Sequence, residues 1–349
     1  MSSLNKDKQN YNNEKCYIIA EAGLNHNGSL EIAKNLIEIA ADAGVNAVKF
    51  QKRTIEELAT KEILETEDNR FPSFGKTYGE IRRFIEFNLE QYQDLKEYTK
   101  EKNLDFIVTP FDIPALHFLS KLGVDKYKLA SHSLTNLNLL KEVASKSKDT
   151  ILSTGMSSLD EIDTAISIFD EHKNLKNLSL LHCVSSYPTP IKDCNISMIQ
   201  FYKSRYKIKT GYSGHELGYT PTLAAVALGA EIVERHFTIS KKMEGFDHKL
   251  SLEPEELKNM VNDIRNIEKS LGNTIKDISE TEVITRKKYH VSMITKMNIK
   301  KGEKLTKDKI TYKNPGTGIP PKDEKKFLNK IFLQDVKEDT LISTDMLNE

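Results

Sequence analysis

Eight times between residues 16 and 272 the sequence passes from a short β-branched run into a longer segment with apolar residues at helical spacing, and that rhythm limits the possible folds severely. The strand-like runs are CYIIAE (16 to 21), NAVKFQ (46 to 51), DFIVTPF (105 to 111), KYKLAS (126 to 131), TILSTG (150 to 155), LSLLHC (178 to 183), IKTGYSGH (208 to 215) and EIVERHF (231 to 237). A helical segment follows each, including one predicted helix over 81 to 103 after an insertion and a last over 253 to 272. Such alternation builds parallel strands joined by crossover helices. Eight βα units in roughly 250 residues match an α/β fold of one kind, the closed (β/α)8 TIM barrel. A doubly wound open sheet would need a glycine-rich phosphate turn after its first strand, and GLNHNG contains no GxGxxG.

Outside this region the texture changes. Residues 1 to 15 are polar and Asn/Lys-rich and read as a flexible tail with no apolar signal core. The barrel domain is expected over 16 to 276 and a linker over 277 to 285. A small strand-rich domain, charged and punctuated by Gly and Pro, follows over 286 to 349. The chain has 51 basic and 51 acidic residues, so no whole-chain field would hold nucleic acid or an anionic membrane. Its most apolar stretch, Leu223 to Val233, is interrupted by Glu231 and is too short to span a bilayer. Three cysteines without metal-type spacing, Cys16, Cys183 and Cys194, suggest free thiols and a cytoplasmic location.

Catalytic groups of a TIM barrel come from the carboxyl ends of its strands and the loops after them. Here those ends carry Glu21, Lys49 and Gln51, Thr109, Lys128 and Ser131, Ser153, His182 and Ser185, Ser213 and His215, and Glu234 and His236. Side chains two apart on a strand share a face, so Lys49 pairs with Gln51, Ser213 with His215, and Glu234 with His236. Strands seven and eight are neighbours, which lets His215 and His236 converge. With Glu21 and Asp247 nearby they form an N/O set suited to a divalent transition ion. A lone histidine at a strand end is more often a hydrogen-bonded core residue; two on adjacent strands change that balance. Lys49 and Lys128, flanked by apolar neighbours and supported by several hydroxyls, form a candidate phosphate site, because a lysine inside a barrel is costly unless it meets an anion. The same Lys128 could instead be a Schiff-base nucleophile. A non-catalytic sugar-binding protein on the same barrel is a further alternative.

Taken together, IIAEAGLNHNGSLEIAKNLI, VKFQ, TPFD, KLAS, ILSTGM, LHCVSSYPTP, GYSGHE, ALGAEIVERHFT, GFDHKLSLEP and the tail KKGEKLT with NPGTGIPP resemble the bacterial sialic acid synthase family, the phosphoenolpyruvate-condensing nonulosonate synthases. The resemblance runs from residue 16 to the end. It implies a TIM barrel followed by an antifreeze-like (SAF) domain and a domain-swapped homodimer. It also implies a divalent metal, Mn2+ before Mg2+ or Co2+, and phosphoenolpyruvate and an amino sugar as substrates. Carried over by position, His215 and His236 correspond to metal ligands. Lys49, Thr109, Lys128, Ser131, Ser153, Tyr187 and Ser213 correspond to the phosphoenolpyruvate site, and Glu21, Gln51, Glu234 and Asp247 to positions around the acceptor sugar and metal.

Three departures bear on the acceptor. Asn314 stands in KNPGTG where many N-acetylmannosamine users carry KRPGNG, and Asn lacks the guanidinium fork. Ser185 replaces an Asn found in some members. KFQKRT and LASHS differ from the KHQTH and GSGE segments of N-acetylmannosamine users, so a differently substituted hexosamine, as in legionaminic or pseudaminic acid synthesis, is expected to compete as acceptor.

Overall fold

The computed structural model describes residues 15–273 and 275–348, so residues 1 to 14 of the expected tail lie outside the described residues. The chain divides into two compact units, one ending at Asn273 and one running from Thr274.

In the first unit the eight strands β1 (Tyr17–Gly23), β2 (Ala47–Lys52), β3 (Asp105–Pro110), β4 (Lys126–Leu129), β5 (Asp149–Ser153), β6 (Leu178–Cys183), β7 (Lys209–Gly214) and β8 (Ile232–His236) close in sequence order into the expected parallel barrel. β8 returns to β1, with Glu21 opposite His236, and β7 lies beside β8 with Ser213 opposite Glu234. One layer of Ile19, Ala47, Ile107, Ile151, Leu181 and Ile232 forms a buried cluster of its own. Strand period two then decides what lies above it. Two residues further along these strands stand Glu21, Lys49, Thr109, Ser153, Cys183 and Glu234, all of which line one cavity. An apolar floor beneath a polar chamber is thus written into the strand alternation. The opposite strand faces, with Ile18, Val48, Val108, Leu152, Leu180 and Val233, pack into the main core together with helix residues such as Leu36, Leu116 and Leu257.

The helices start where their caps dictate. Ser29, Asp112 and Asn136 accept backbone N–H bonds three residues on, and Ser158 with Glu161 forms a reciprocal box; each such cap contributes about 1 kcal/mol. Gly44 and Gly123 end their helices in the left-handed region that favours glycine. The predicted single helix over 81 to 103 is instead two, Tyr78–Phe84 and Leu89–Glu101. The break comes from Asn88, whose side chain caps the second helix in a box with Gln91, while Phe87 turns into the core.

The second unit holds a two-stranded antiparallel sheet, β9 (Ser292–Thr295) and β10 (Ile310–Lys313). It has a separate core of Met293, Ile299, Leu305, Ile310, Ile319, Phe332, Val336, Ile342 and Leu347. The stretch read as linker carries most of a helix, Glu280–Tyr289, started by a Ser279–Glu282 capping box. Among the described residues no helix is long and apolar enough to cross a membrane.

Candidate active site

The barrel cavity encloses about 260 Å³ and brings together the first-unit candidates other than His182: Glu21, Lys49, Gln51, Thr109, Lys128, Ser131, Ser153, Ser185, Tyr187, Ser213, His215, Glu234, His236 and Asp247. Asn314 belongs to the second unit, just after β10. His182 points the other way, its Nε2 bonded to Cys194 O at 2.8 Å and its ring beside Tyr202 and Tyr212.

Two lysines and two carboxylates interlock at the base of the cavity. Lys49 Nζ lies 2.8 Å from Glu21 Oε2 and 3.6 Å from Glu234 Oε1, and donates to Thr109 Oγ1 at 3.2 Å. Lys128 Nζ donates to Ser153 Oγ at 2.8 Å and lies 3.6 Å from Glu234 Oε1. Glu21 also accepts from Gln51 Nε2 at 2.6 Å, and Glu234 from Ser213 Oγ at 3.3 Å. All four charged groups are buried. Burial raises the Glu21 carboxyl above the ordinary range, and Glu234 adds to the rise against the pull of Lys49. For Glu234 burial acts the same way, but Lys128 and Lys49 outweigh it and hold the group below the ordinary range. Burial lowers Lys128, whereas Lys49 is raised because Glu21 and Glu234 overcome its burial. The two carboxyls are thus pushed in opposite directions, Glu21 up and Glu234 down.

The two imidazoles stand with ring centroids 5.4 Å apart, and Tyr187 lies 4.2 Å from His215. His215 Nδ1 donates to Val184 O at 2.8 Å, which fixes Nε2 as the bare nitrogen. His236 Nδ1 is buried without a hydrogen-bond partner, 3.8 Å from Asp247 Oδ2, and burial pushes the ring's pKa down to about 4. His236, kept neutral by burial and with an orphaned nitrogen, beside the second imidazole of His215, fits a divalent ion. Glu21 stands opposite His236 on the neighbouring strand and is engaged by Lys49 and Gln51. Among the described residues no group of three or more His, Cys, Asp or Glu clusters in metal-ligand fashion, so the protein's share of a metal shell would be the histidine pair.

A glycine shapes the anion side. Gly155 N donates to Ser131 Oγ at 2.9 Å, and a Cβ on Gly155 would collide with the hydroxyls of Ser185 and Ser131. Its missing side chain lets both serines face the cavity beside Lys128.

Residues 36–276 match the model of the NeuB family and residues 291–348 that of the SAF domain. The chain belongs to the NeuB family. The chain is similar to N,N'-diacetyllegionaminic acid synthase of Campylobacter jejuni, 40% identical over 336 residues that cover 94% of this chain and 99% of that protein. It is similar to N-acetylneuraminate-9-phosphate synthase of Homo sapiens, 37% identical over 95% of this chain and 93% of that one. Among solved structures, the N-acetylneuraminic acid (sialic acid) synthetase from Leptospira borgpetersenii in complex with citrate superposes with a TM-score of 0.69 at 40% identity, covering 78% of this chain and 90% of that one. The named relatives are synthases, and the NeuB family is one of enzymes.

Other wall residues were not evident from the sequence. Arg53 and Arg82 line the cavity, stacked on Phe111 and Phe246 with guanidinium carbons 3.7 and 4.1 Å from the ring centroids. Arg53 continues the alternation of Lys49 and Gln51 by one more step, a signal that was present. Arg82 comes from the insertion helix and has no such signal. Cys183, read as a small hydrophobe, also lines the chamber, with Sγ 3.8 Å from His215 Nδ1.

Proposed function

We propose that the chain is a nonulosonic acid synthase that condenses phosphoenolpyruvate with an open-chain N-acylhexosamine and water, giving a nine-carbon 2-keto sugar acid and phosphate. What carries the reading is one constellation: the His215–His236 pair above the interlocked Lys49, Lys128, Glu21 and Glu234, in a family whose named members are sialic, legionaminic and pseudaminic acid synthases. Lys49 and Lys128 would fix the phosphate and carboxylate of phosphoenolpyruvate, with Thr109, Ser131, Ser153 and Ser213 as short donors. His215 and His236 would hold the divalent ion, Mn2+ being the expected species for this donor set. When bound, that ion supplies Lewis acidity toward the sugar's aldehyde carbon.

The enol carbon C3 then attacks C1 of the sugar, and positive charge develops at C2 of the former phosphoenolpyruvate. Glu21, whose carboxyl is raised by burial, would donate to the sugar oxygen at C1. Glu234, whose carboxyl is held low, would orient the water that captures C2 and take its proton. The tetrahedral adduct collapses by breaking the C2–O bond, so the bridging oxygen leaves with phosphate. Holding both reactants over rigid strand ends removes much of the entropic barrier of a two-substrate step.

Phosphoenolpyruvate labelled with oxygen-18 at the bridging position should yield labelled phosphate; unlabelled phosphate would refute the route. The lowered pKa of Lys128 also suits an imine-forming amine. Borohydride trapping of a pyruvyl adduct on Lys128 would favour that rival. The proposal includes a homodimer, tested by sedimentation of the full chain, and a cytoplasmic location, where phosphoenolpyruvate is made.

A further inference from the structure

We propose that Arg53 and Arg82 form an anion subsite in the barrel cavity that selects an acceptor sugar bearing a negative group, a phosphate ester or a carboxylate, at the end away from its aldehyde. The inference rests on the condensation reading and deepens it.

Every other arginine of the barrel unit has a carboxylate partner: Arg70 with Asp68, Arg83 with Glu56, Arg205 with Asp163, Arg235 with Glu216 and Arg265 with Glu268. Among the described residues Arg53 and Arg82 make no ion pair, yet both line the cavity that holds the reactive constellation. Arg53 is only 7% exposed, and its Nη1 is buried without a hydrogen-bond partner. Nε and Nη1 of Arg82 are in the same condition. Glu86, an acid on this side of the barrel, is taken by Lys52 at 2.7 Å. Buried charged donors left unsatisfied are costly, and two such groups close together raise the cost. Burial and the neighbouring Arg82 lower Arg53 to about 10, against the opposing pull of Glu86 and Asp247.

Both guanidinium carbons sit over rings, those of Phe111 and Phe246, and Arg53 Nη2 donates to Gln51 Oε1, which leaves Arg53 Nη1 and Arg82 Nε and Nη1 as the donors without a partner. A planar fork of this kind matches the oxygens of a carboxylate or phosphate. Phosphoenolpyruvate is already provided with two lysines and four hydroxyls, so the arginine pair is left for the second substrate. The names of the relatives do not settle the point, since they include both a 9-phosphate synthase and a diacetyllegionaminic acid synthase.

The test uses the full chain with phosphoenolpyruvate and four acceptors: N-acetylmannosamine, its 6-phosphate, N-acetylmannosaminuronic acid and 2,4-diacetamido-2,4,6-trideoxymannose. One of the two anionic sugars should exceed both neutral ones in kcat/KM by about 100-fold, the size expected for a desolvated charge pair. Which one does so identifies the anion. Arg82→Gln, on the partly exposed helix, and Arg53→Gln should each reduce that preference by about 30-fold while KM for phosphoenolpyruvate moves less than about 3-fold. Arg82→Lys should fall between, since it keeps charge and loses the fork. A neutral acceptor used as well as the anionic ones, or a preference unchanged in both Gln variants, would overturn the subsite. If no sugar is turned over, the condensation reading fails by itself, and calorimetric titration of EDTA-treated protein with N-acetylmannosamine 6-phosphate, the uronic acid and the unmodified sugar decides the subsite. Tighter binding of either anionic sugar, lost in Arg82→Gln, supports it; equal binding of all three overturns it.

Discussion

Arg235 offers the sharpest test of how the barrel positions its histidines. It lies on the outward face of β8, between the cavity residues Glu234 and His236, and is 1% exposed. Its Nη1 donates to Glu216 Oε1 and, at 3.3 Å, to Thr222 Oγ1; its Nη2 donates to Glu216 O at 2.7 Å and Gly218 O at 2.6 Å. Glu216 also accepts from the Tyr212 hydroxyl at 2.9 Å. The loop that carries His215 is thus tied to β8 through the residue next to it. Arg235→Met would leave Glu216 buried without a counter-charge, a loss of about 3–5 kcal/mol, and two carbonyls short of a donor at about 1 kcal/mol each. A total of about 5–7 kcal/mol is a large part of the roughly 5–15 kcal/mol that stabilises an ordinary domain. Because the chain has no tryptophan, urea unfolding is best followed by far-ultraviolet circular dichroism. The midpoint should fall by about 2–3 M for a slope near 2.5 kcal/mol per M. Adding Glu216→Met should restore about half of the lost stability, since a buried pair is often replaceable by apolar residues although neither partner can be removed alone. A single variant within about 1 kcal/mol of the wild type, or a double variant no better than the single, would refute the reasoning.

Three further outcomes follow from the site and its surroundings. Glu21→Gln should lower kcat by about 100-fold or more with little change in KM for phosphoenolpyruvate, as expected for loss of a proton donor; unchanged kcat would remove that role. Gly155→Ala should raise KM for phosphoenolpyruvate by about 10-fold or more, because the new methyl group displaces the Ser131 and Ser185 hydroxyls from a charged ligand. His26 is stacked on Phe87, accepts from Gly28 N at 3.1 Å, and is pushed down to about 3 by burial and by Arg53. Its folded value lies below its unfolded one of about 6.5, so its stabilising effect is present above that pH and is lost as pH falls toward about 3. By pH 5 the loss is about 2 kcal/mol, and His26→Gln should flatten the stability profile between pH 7 and 5 by that amount in urea titrations.

The barrel was legible because its strands obey period two throughout: hydrophobic residues at one level and polar residues two positions later encode both the floor and the chamber. The same rule located His215 and His236 on neighbouring strands before their separation was known. It mistook His182, whose strand position gives it the outward face of Leu180. The insertion was harder to read. Its apolar residues keep helical spacing across 81 to 103, and the break rests on one Asn88–Gln91 box whose N-x-x-Q pattern is easily taken for helix interior. Arg82 was invisible for a related reason: a helix outside the βα repeat has no strand end to announce what it brings to the cavity. The helix within the expected linker did have a signal, Ser279 three residues before Glu282, but too few buried apolar residues to support it.

The Glu234–Arg235–His236 triplet sets two incompatible environments on consecutive residues of β8. If that strand shifted one place against β1, the guanidinium would enter the chamber while the carboxylate and imidazole turned to the helix side, where Glu216 would lose its counter-charge. Assembly of the cylinder therefore proofreads the reaction centre: a misaligned closing strand is penalised by stranded charge before any substrate arrives, and a molecule stable enough to persist is one whose chemical groups already stand in order.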